Sequence, residues 1–480
     1  MLCPLGRYYP GLTLTATVFA VLVLGGSLSA FGQQVSDKSP QSTPADQSSP
    51  AGPSSQTPGP APPQNQAQTS APATTKQRKL NCRHPADPNK RRFGCKDEDF
   101  DWKETLTGDW DAFRDDARNL GITPSASYYS ALQTNASGGP HQMWGYVGQV
   151  TTAIDLNFEK LLKIPGMSLY VSDLWGTGSN LTANLGSVFP VNPDYAVGAY
   201  LGEIYLQEKF LAGDLTVAAG RLGANYTFAA LPVFDNYVTG AINSAPESMV
   251  ANDPSYGGPP PGLEWGAQAV YNFTPVVQVA AGVFNTNPNS ANSGNVFAFQ
   301  QGNRGALVTA QLSYLYNQGP NDKGMQGQYT AGFFEDNNAF PILPLGSLRS
   351  NGESGVFILG QQMVYRPEGP GTTQGLTIWG AGTYTSKQLV SSMPFFGGVG
   401  CSYEGLIKQR KNDTLSFAWI YGKTSNFIPN ASAAKMLETN YQWVPKRYIT
   451  VIAEFQYIWR PTGTIGQGAS VLGAQINVTF

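Results

Sequence analysis

The sequence predicts an all-β fold, a transmembrane antiparallel β-barrel of about sixteen strands with a short N-terminal amphipathic helix, and three observations carry that prediction. The last stretch, GASVLGAQINVTF, alternates: Leu472, Ala474, Ile476, Val478 and Phe480 share one side of an extended chain, while Gly473, Gln475, Asn477 and Thr479 share the other. The same period of two recurs from residue 121 to the end of the chain. The connections between these segments alternate in character, short and polar on one side, long and rich in Gly, Asn and Pro on the other. A soluble sheet can alternate in the same way with its apolar face inward. The repetition, together with the alternating loop lengths, favours apolar side chains facing lipid and polar ones facing a wet lumen.

Composition agrees. Only 13% of residues are charged and 12% are aromatic, with 54 glycines, and this suits a wall whose strands face water on one side only. Mean hydropathy is −0.23, and beyond the amino-terminus no polar-free run reaches the ~18 residues a spanning helix needs. A formal net charge of −2 shows no basic excess, so nucleic acid is not expected as a partner.

Residues 1–32 read as a signal peptide: Arg7, an apolar run from Leu12 to Leu28, then small residues before cleavage after Gly32 or Ala30. As a membrane anchor the run is short and lacks a charged stop. Residues 33–80 are Pro/Ser/Gln-rich and cannot bury a core, so they form a disordered tether, with contact to the cell wall an open expectation. Residues 81–120 form a periplasmic segment. Cys82 and Cys95 bracket a basic loop there, and in an oxidising compartment they are the natural disulfide pair. A metal site at His84 has no second histidine nearby and fits no zinc spacing, so neither metal nor cofactor is expected. Cys401 falls in a strand pattern as a small buried residue.

In LTGDWDAFRDDARNLGI, Trp110, Phe113, Ala117 and Leu120 recur at helical spacing. Thr107 can cap the start, acids fill the first turn and Gly121 can end it. This is a packing element at the barrel mouth, or a plug of the pore.

Residues 121–480 form the barrel. Strand candidates lie at 121–135, 145–161, 166–178, 199–211, 214–228, 262–274, 276–287, 306–317, 325–336, 355–366, 374–386, 393–406, 413–425, 434–445, 448–460 and 468–480. Leu415, Phe417, Trp419 and Tyr421 phase toward lipid, as do Trp265, Ala267, Ala269, Tyr271 and Phe273. Glu264, Gln268, Glu454 and Gln456 phase toward the lumen. The segments 355–366 and 374–386 have no readable phase. An even strand number puts both barrel ends on the periplasmic side.

Several stretches resemble the OprB-type carbohydrate-selective porins. They begin with LTGDWDAFRDDARNLGI, which is similar to the family's entry motif LTGDWGGLR…L…GI, and continue through YLGEIYLQEKFLAGDLTVAAGRLGANYTF, WGAQAVYNFTPVVQVAAGVFNTNP and the closing EFQYIWRPTGT…VLGAQINVTF. The resemblance covers about residues 105–480 and implies a sixteen-stranded outer-membrane barrel of a Gram-negative-type bacterium that passes mono- or small oligosaccharides. Two departures stand out. Asp111-Ala112 replaces the family's Gly-Gly, and Arg221 replaces its usual Gln, which puts solute preference in question.

A pore needs a constriction, polar contacts and a field rather than a catalytic group. The long loop 229–261 either folds into the lumen or covers the mouth. Tight-turn register across 211–214 puts Glu203 opposite about Leu222. A bulge at Gly220 would swing Arg221 to the lumen beside Glu203, above Gln207 and Lys209, with Glu264 and Gln268 on the next strand. Such opposed charges orient polyhydroxyl solutes, or else form a salt bridge that only stiffens the wall. Tyr205, Trp175 and Tyr256 are candidate sugar platforms. The expected partners are outer-membrane lipid and sugar solutes, with a homo-oligomer, such as a trimer, open. Rival readings are a general or anion-preferring porin, a structural or adhesive barrel, and a barrel hydrolase. The last is disfavoured because His84 and His141 are the only histidines and neither lies on the wall.

Overall fold

A computed structural model describes residues 83–84, 87–91, 105–110, 112–179, 181–193, 197–257, 262–286, 305–318, 323–344, 346, 348–369 and 372–480. The signal peptide, the tether and the Cys82–Cys95 pair lie outside the described residues. Sixteen strands close into one antiparallel barrel. They are β1 Ile122–Ser137, β2 Trp144–Asn157, β3 Met167–Ser179, β4 Gly198–Phe210, β5 Leu215–Leu222, β6 Glu264–Thr274, β7 Val277–Asn285 and β8 Ala306–Tyr316. The circuit continues with β9 Gly327–Pro341, β10 Arg349–Tyr365, β11 Gly375–Thr385, β12 Phe395–Glu404, β13 Thr414–Lys423, β14 Ala434–Lys446, β15 Ile449–Trp459 and β16 Ala469–Thr479. Strand β16 pairs with β1, so no edge is left with unpaired backbone groups. Arg83–His84 and Asp87–Arg91 pair as a separate small hairpin.

All sixteen expected strands are present, and the outcome at the ends of four differs: β2 stops at Asn157 rather than running to residue 161, because Phe158–Leu162 is a short helix. Strand β5 stops at Leu222 rather than running to residue 228, because the chain turns inward at Gly223. Strands β9 and β10 run on past the expected 336 and 355, so the loop expected over 337–354 is mostly a paired hairpin. The expected phases hold. Leu472 and Ile476 are exposed on the outer face while Gln475, Asn477 and Thr479 are buried on the inner one. Leu415, Phe417 and Trp419 point outward and Ser416 and Ala418 inward. The two unphased strands resolve as well. Val356 and Ile358 face out, whereas Phe357, Leu359 and Trp379 are buried on the inner face.

Helix α1, Phe113–Leu120, begins later than Thr107. Ala112 takes a left-handed φ of 70° without a side-chain cap, and Asp109 Oδ1 accepts from the backbone N–H of Asp115 at 2.9 Å. Gly121 ends the helix at φ 102°, as expected. Trp110, Phe113 and Leu120 remain exposed.

The helix holds the seam of the barrel through Arg114, which is 2% exposed. Its guanidinium donates to Thr105 Oγ1 at 3.2 Å, Thr107 Oγ1 at 3.0 Å, the Gly108 carbonyl at 2.8 Å and the Phe480 carbonyl at 2.8 Å. The Leu106 N–H adds a bond to the Thr479 carbonyl at 2.8 Å, and the Phe480 N–H one to the Ala126 carbonyl at 2.9 Å. The entry motif and the chain's last residue are thus tied where β16 meets β1. Hydrogen bonds to a charged group contribute about 1.5–3 kcal/mol each. Arg114→Ala should therefore lower barrel stability by roughly 2–4 kcal/mol, read as an earlier loss of heat-modifiable mobility on gels. An unchanged transition would contradict the seam role.

Candidate functional site

The connection between β5 and β6 folds into the lumen. It carries short helical turns at Ala224–Tyr226, Pro232–Asn236 and Pro254–Tyr256, and helix Glu247–Asn252. Phe228, Phe234, Tyr237, Ile242, Met249 and Tyr256 are each at most 2% exposed and form an apolar core with the inner wall. At about 1.5–3 kcal/mol per buried large apolar side chain, this packing holds the loop firmly. It also explains the inner-face Phe357, Leu359 and Trp379, whose neighbours are the inserted loop rather than water. Phe234 and Tyr237 pack edge-on against Trp379, with centroids 5.2 and 5.6 Å apart. A Cβ on Gly400 would lie 2.7 Å from the Trp379 ring, so only glycine lets the indole seat there.

Polar contacts then fix the loop to strands far away in sequence. Gln311 Oε1 accepts from the Ala229 N–H at 3.0 Å and Gln361 Oε1 from the Val233 N–H at 2.9 Å. The Tyr237 hydroxyl accepts from Trp379 Nε1 at 2.7 Å and lies 2.9 Å from the Cys401 carbonyl. Across the barrel, Glu438 on β14 accepts from the N–H groups of Val238 and Thr239, both at 2.8 Å. A second inward connection, between β3 and β4, packs on the loop's tip. Its Pro190 carbonyl accepts from Thr239 Oγ1 at 2.7 Å, and its Val191 carbonyl from Gln133 Nε2 at 3.0 Å and Gln456 Nε2 at 2.7 Å.

The inserted loop shares its apolar core with inner-face residues from β5 to β15, such as Ala218, Phe284, Phe334, Trp379 and Ile458, and Tyr205 of β4 packs at its margin. Glu203, Tyr205, Gln207 and Lys209 all point inward from β4 and are half-buried. Tyr205 packs beside Tyr170 of β3, ring centroids 5.3 Å apart. Glu264 and Gln268 also point inward but lie under the loop, 6% and 5% exposed.

Three expected solute contacts are placed elsewhere. Arg221 is fully buried, and its guanidinium donates to the Leu201 carbonyl and, at 3.2 Å, to the Gly202 carbonyl. These carbonyls lie beyond the last β4–β5 pair, Ile204 with Arg221, so the arginine satisfies backbone that the short β5 leaves without a strand partner. Glu264 and Glu203 act on it electrostatically, as their register places them. The bulge is also displaced. Gly220 keeps its place in the pairing, at φ 149° with no room for a Cβ beside the Ile204 carbonyl, while Gly202 and Glu203 together oppose Ser172. Trp175 sits on the outer face opposite Val150 and donates through Nε1 to Asp173 at 2.7 Å. Tyr256 is buried in the inserted loop against Phe334.

The family model for "Carbohydrate-selective porin, OprB family" matches residues 141–480. The chain belongs to the OprB family. Porin B of Pseudomonas aeruginosa is 23% identical over 336 residues, covering 65% of this chain and 72% of that protein. The high-pH structure of Pseudomonas putida OprB superposes with a TM-score of 0.71 at 20% identity, covering 78% of this chain and 98% of that one. The low-pH structure of the same porin gives 0.52 at 18% identity over the same shares. At such identities the likeness speaks for the fold. Family and fold together make this OprB-type chain a carbohydrate porin of the outer membrane, with its outer face in lipid and sugars as its solutes.

The sequence reading missed Glu438 as an anchor of the inserted loop. Its partners lie some two hundred residues away, where no local pattern points to them. Glu438→Ala leaves two buried N–H groups unpaired, at a cost of about 1–3 kcal/mol each, against an apolar seat that stays in place. The loop tip should loosen without barrel loss, raising single-channel conductance by up to about twofold, with unchanged heat-modifiable mobility. Unaltered conductance would show that Glu438 does not set the aperture.

Proposed function

We propose that sugars cross this porin along the inner face of β4, between the strand and the inserted loop. The observation that supports this most is the run Glu203, Tyr205, Gln207 and Lys209, half-open to water while the inner faces of β5 through β15 are largely covered. Acid, amide and ammonium groups exchange hydrogen bonds with sugar hydroxyls, and charge-assisted ones are the stronger. The rings of Tyr205 and Tyr170 give an apolar wall for the C–H face of a pyranose. Glu264 and Gln268 act from beneath the loop by holding the field and the wall. The even strand count and the shared rim of α1 and Phe480 support a periplasmic position for the short turns, and with them for the tether.

A general porin would pass ions and sugars by size alone. The aromatic pair beside a mixed-charge run favours sugar contact over that reading. In planar bilayers, Tyr205→Ala should raise the glucose concentration giving half-block of ion current at least fivefold, while open-channel current changes little. Equal block in both proteins would remove Tyr205 from the path. Liposome swelling should be fast with monosaccharides and fall steeply with chain length; a size-independent rate would contradict a constriction.

A further inference from the structure

Beneath the inserted loop, on the half of the lumen nearer the short turns, lies a cavity of about 160 Å³ that no part of the β4 path explains. Gln278 near the start of β7, Gln311 on β8 and Gln328 at the start of β9 form its wall. Tyr226 and Asp235 from the loop close the other side, and Val270 with Leu231 and Pro232 adds an apolar strip. At that volume the cavity has room for a single sugar ring.

The three amides are not equivalent. Gln311 is committed to the loop, accepting from Ala229 N–H at 3.0 Å and donating to the Thr227 carbonyl at 3.1 Å. Gln278 donates through Nε2 to Asn272 Oδ1 at 2.9 Å, and Gln328 Nε2 makes only long contacts of 3.4 Å to the Ala230 carbonyl and Thr330 Oγ1. The amide oxygens of Gln278 and Gln328 accept no hydrogen bond among the described residues. Both side chains are only partly buried, so two amide acceptors and the weakly held Nε2 of Gln328 face a space flanked by a tyrosine and an apolar strip. Hydroxyl-donating, C–H-faced solutes match that combination, whereas an anion would meet Asp235 and amide oxygens.

We propose that this cavity is a second monosaccharide subsite, on the short-turn side of the inserted loop, built from Gln278, Gln328 and Tyr226. The inference rests on the carbohydrate reading of the pore and adds a place where a sugar pauses after passing β4. An asymmetric pore follows: sugar reaching the lumen from the short-turn side meets this subsite first, and sugar from the long-loop side meets β4 first.

The test is glucose block of single-channel current, with glucose added to one side of an oriented bilayer and then to the other. The proteins compared are the unaltered porin, a Gln278→Leu/Gln328→Leu variant and a Tyr226→Ala variant, each checked for native heat-modifiable mobility. Both variants should raise the half-blocking concentration at least fivefold from one side and less than twofold from the other. Change equal on both sides, or absent in correctly folded protein, overturns the subsite while leaving the carbohydrate pore intact. Absence of glucose block in the unaltered porin overturns both. If one variant fails to fold, the other decides.

Discussion

A chain that crosses hydrocarbon as strands must pair every backbone N–H and C=O with another strand, since lipid offers no substitute partner. Closure of β16 on β1 meets that demand, and the rest of the molecule follows from it. Once the wall is closed, one side of each strand must be apolar and the other is free to be polar, which is the source of the period of two along the chain. Closure also brings the beginning and end of the barrel to one rim, where Arg114 and the Phe480 carbonyl meet. One arginine in the entry motif thus serves the same requirement as the ladder itself.

A closed wall of sixteen strands leaves a lumen too wide to select, and this chain narrows it with its own backbone. The inserted loop is stable there because it carries an apolar cluster into contact with inner-face Phe357, Leu359 and Trp379, and because wall side chains such as Gln311, Gln361 and Glu438 take up its exposed N–H groups. Inside the barrel, as in hydrocarbon, irregular backbone persists where protein satisfies it. The proposed sugar path uses the part of β4 that this packing leaves half-buried, beside the Tyr205–Tyr170 pair.

The sequence shows the barrel well and its contents poorly, for one physical reason. Alternation is visible only where one face meets water and the other lipid. On β15 and β16 it reads directly. On β10 and β11 it fails because Phe357, Leu359 and Trp379 face the inserted loop, so both faces are apolar. The over-long reading of β5 has the same origin: Ala224 and Phe228 are apolar because they enter the loop's core. Glu203, Tyr205, Gln207 and Lys209 were legible because β4 keeps its water. Arg221 was legible as a neighbour of Glu203 but not as a cap on backbone carbonyls, since the bulge at Gly202–Glu203 and the early end of β5 leave no local signature. Trp175 could not be told from an inner-face aromatic without the register that sets it opposite Val150.

The claim that water runs along β4 has a direct measurement. In a Cys401→Ser background, Gln207→Cys and Leu206→Cys place thiols on neighbouring residues of opposite faces, Gln207 inward and the exposed Leu206 outward. A small charged, membrane-impermeant thiol reagent added to a single open channel should step the current down in the Gln207→Cys protein and leave the Leu206→Cys protein unchanged. Reaction without any current step at 207, or a step at 206 instead, would contradict a solute path on this face.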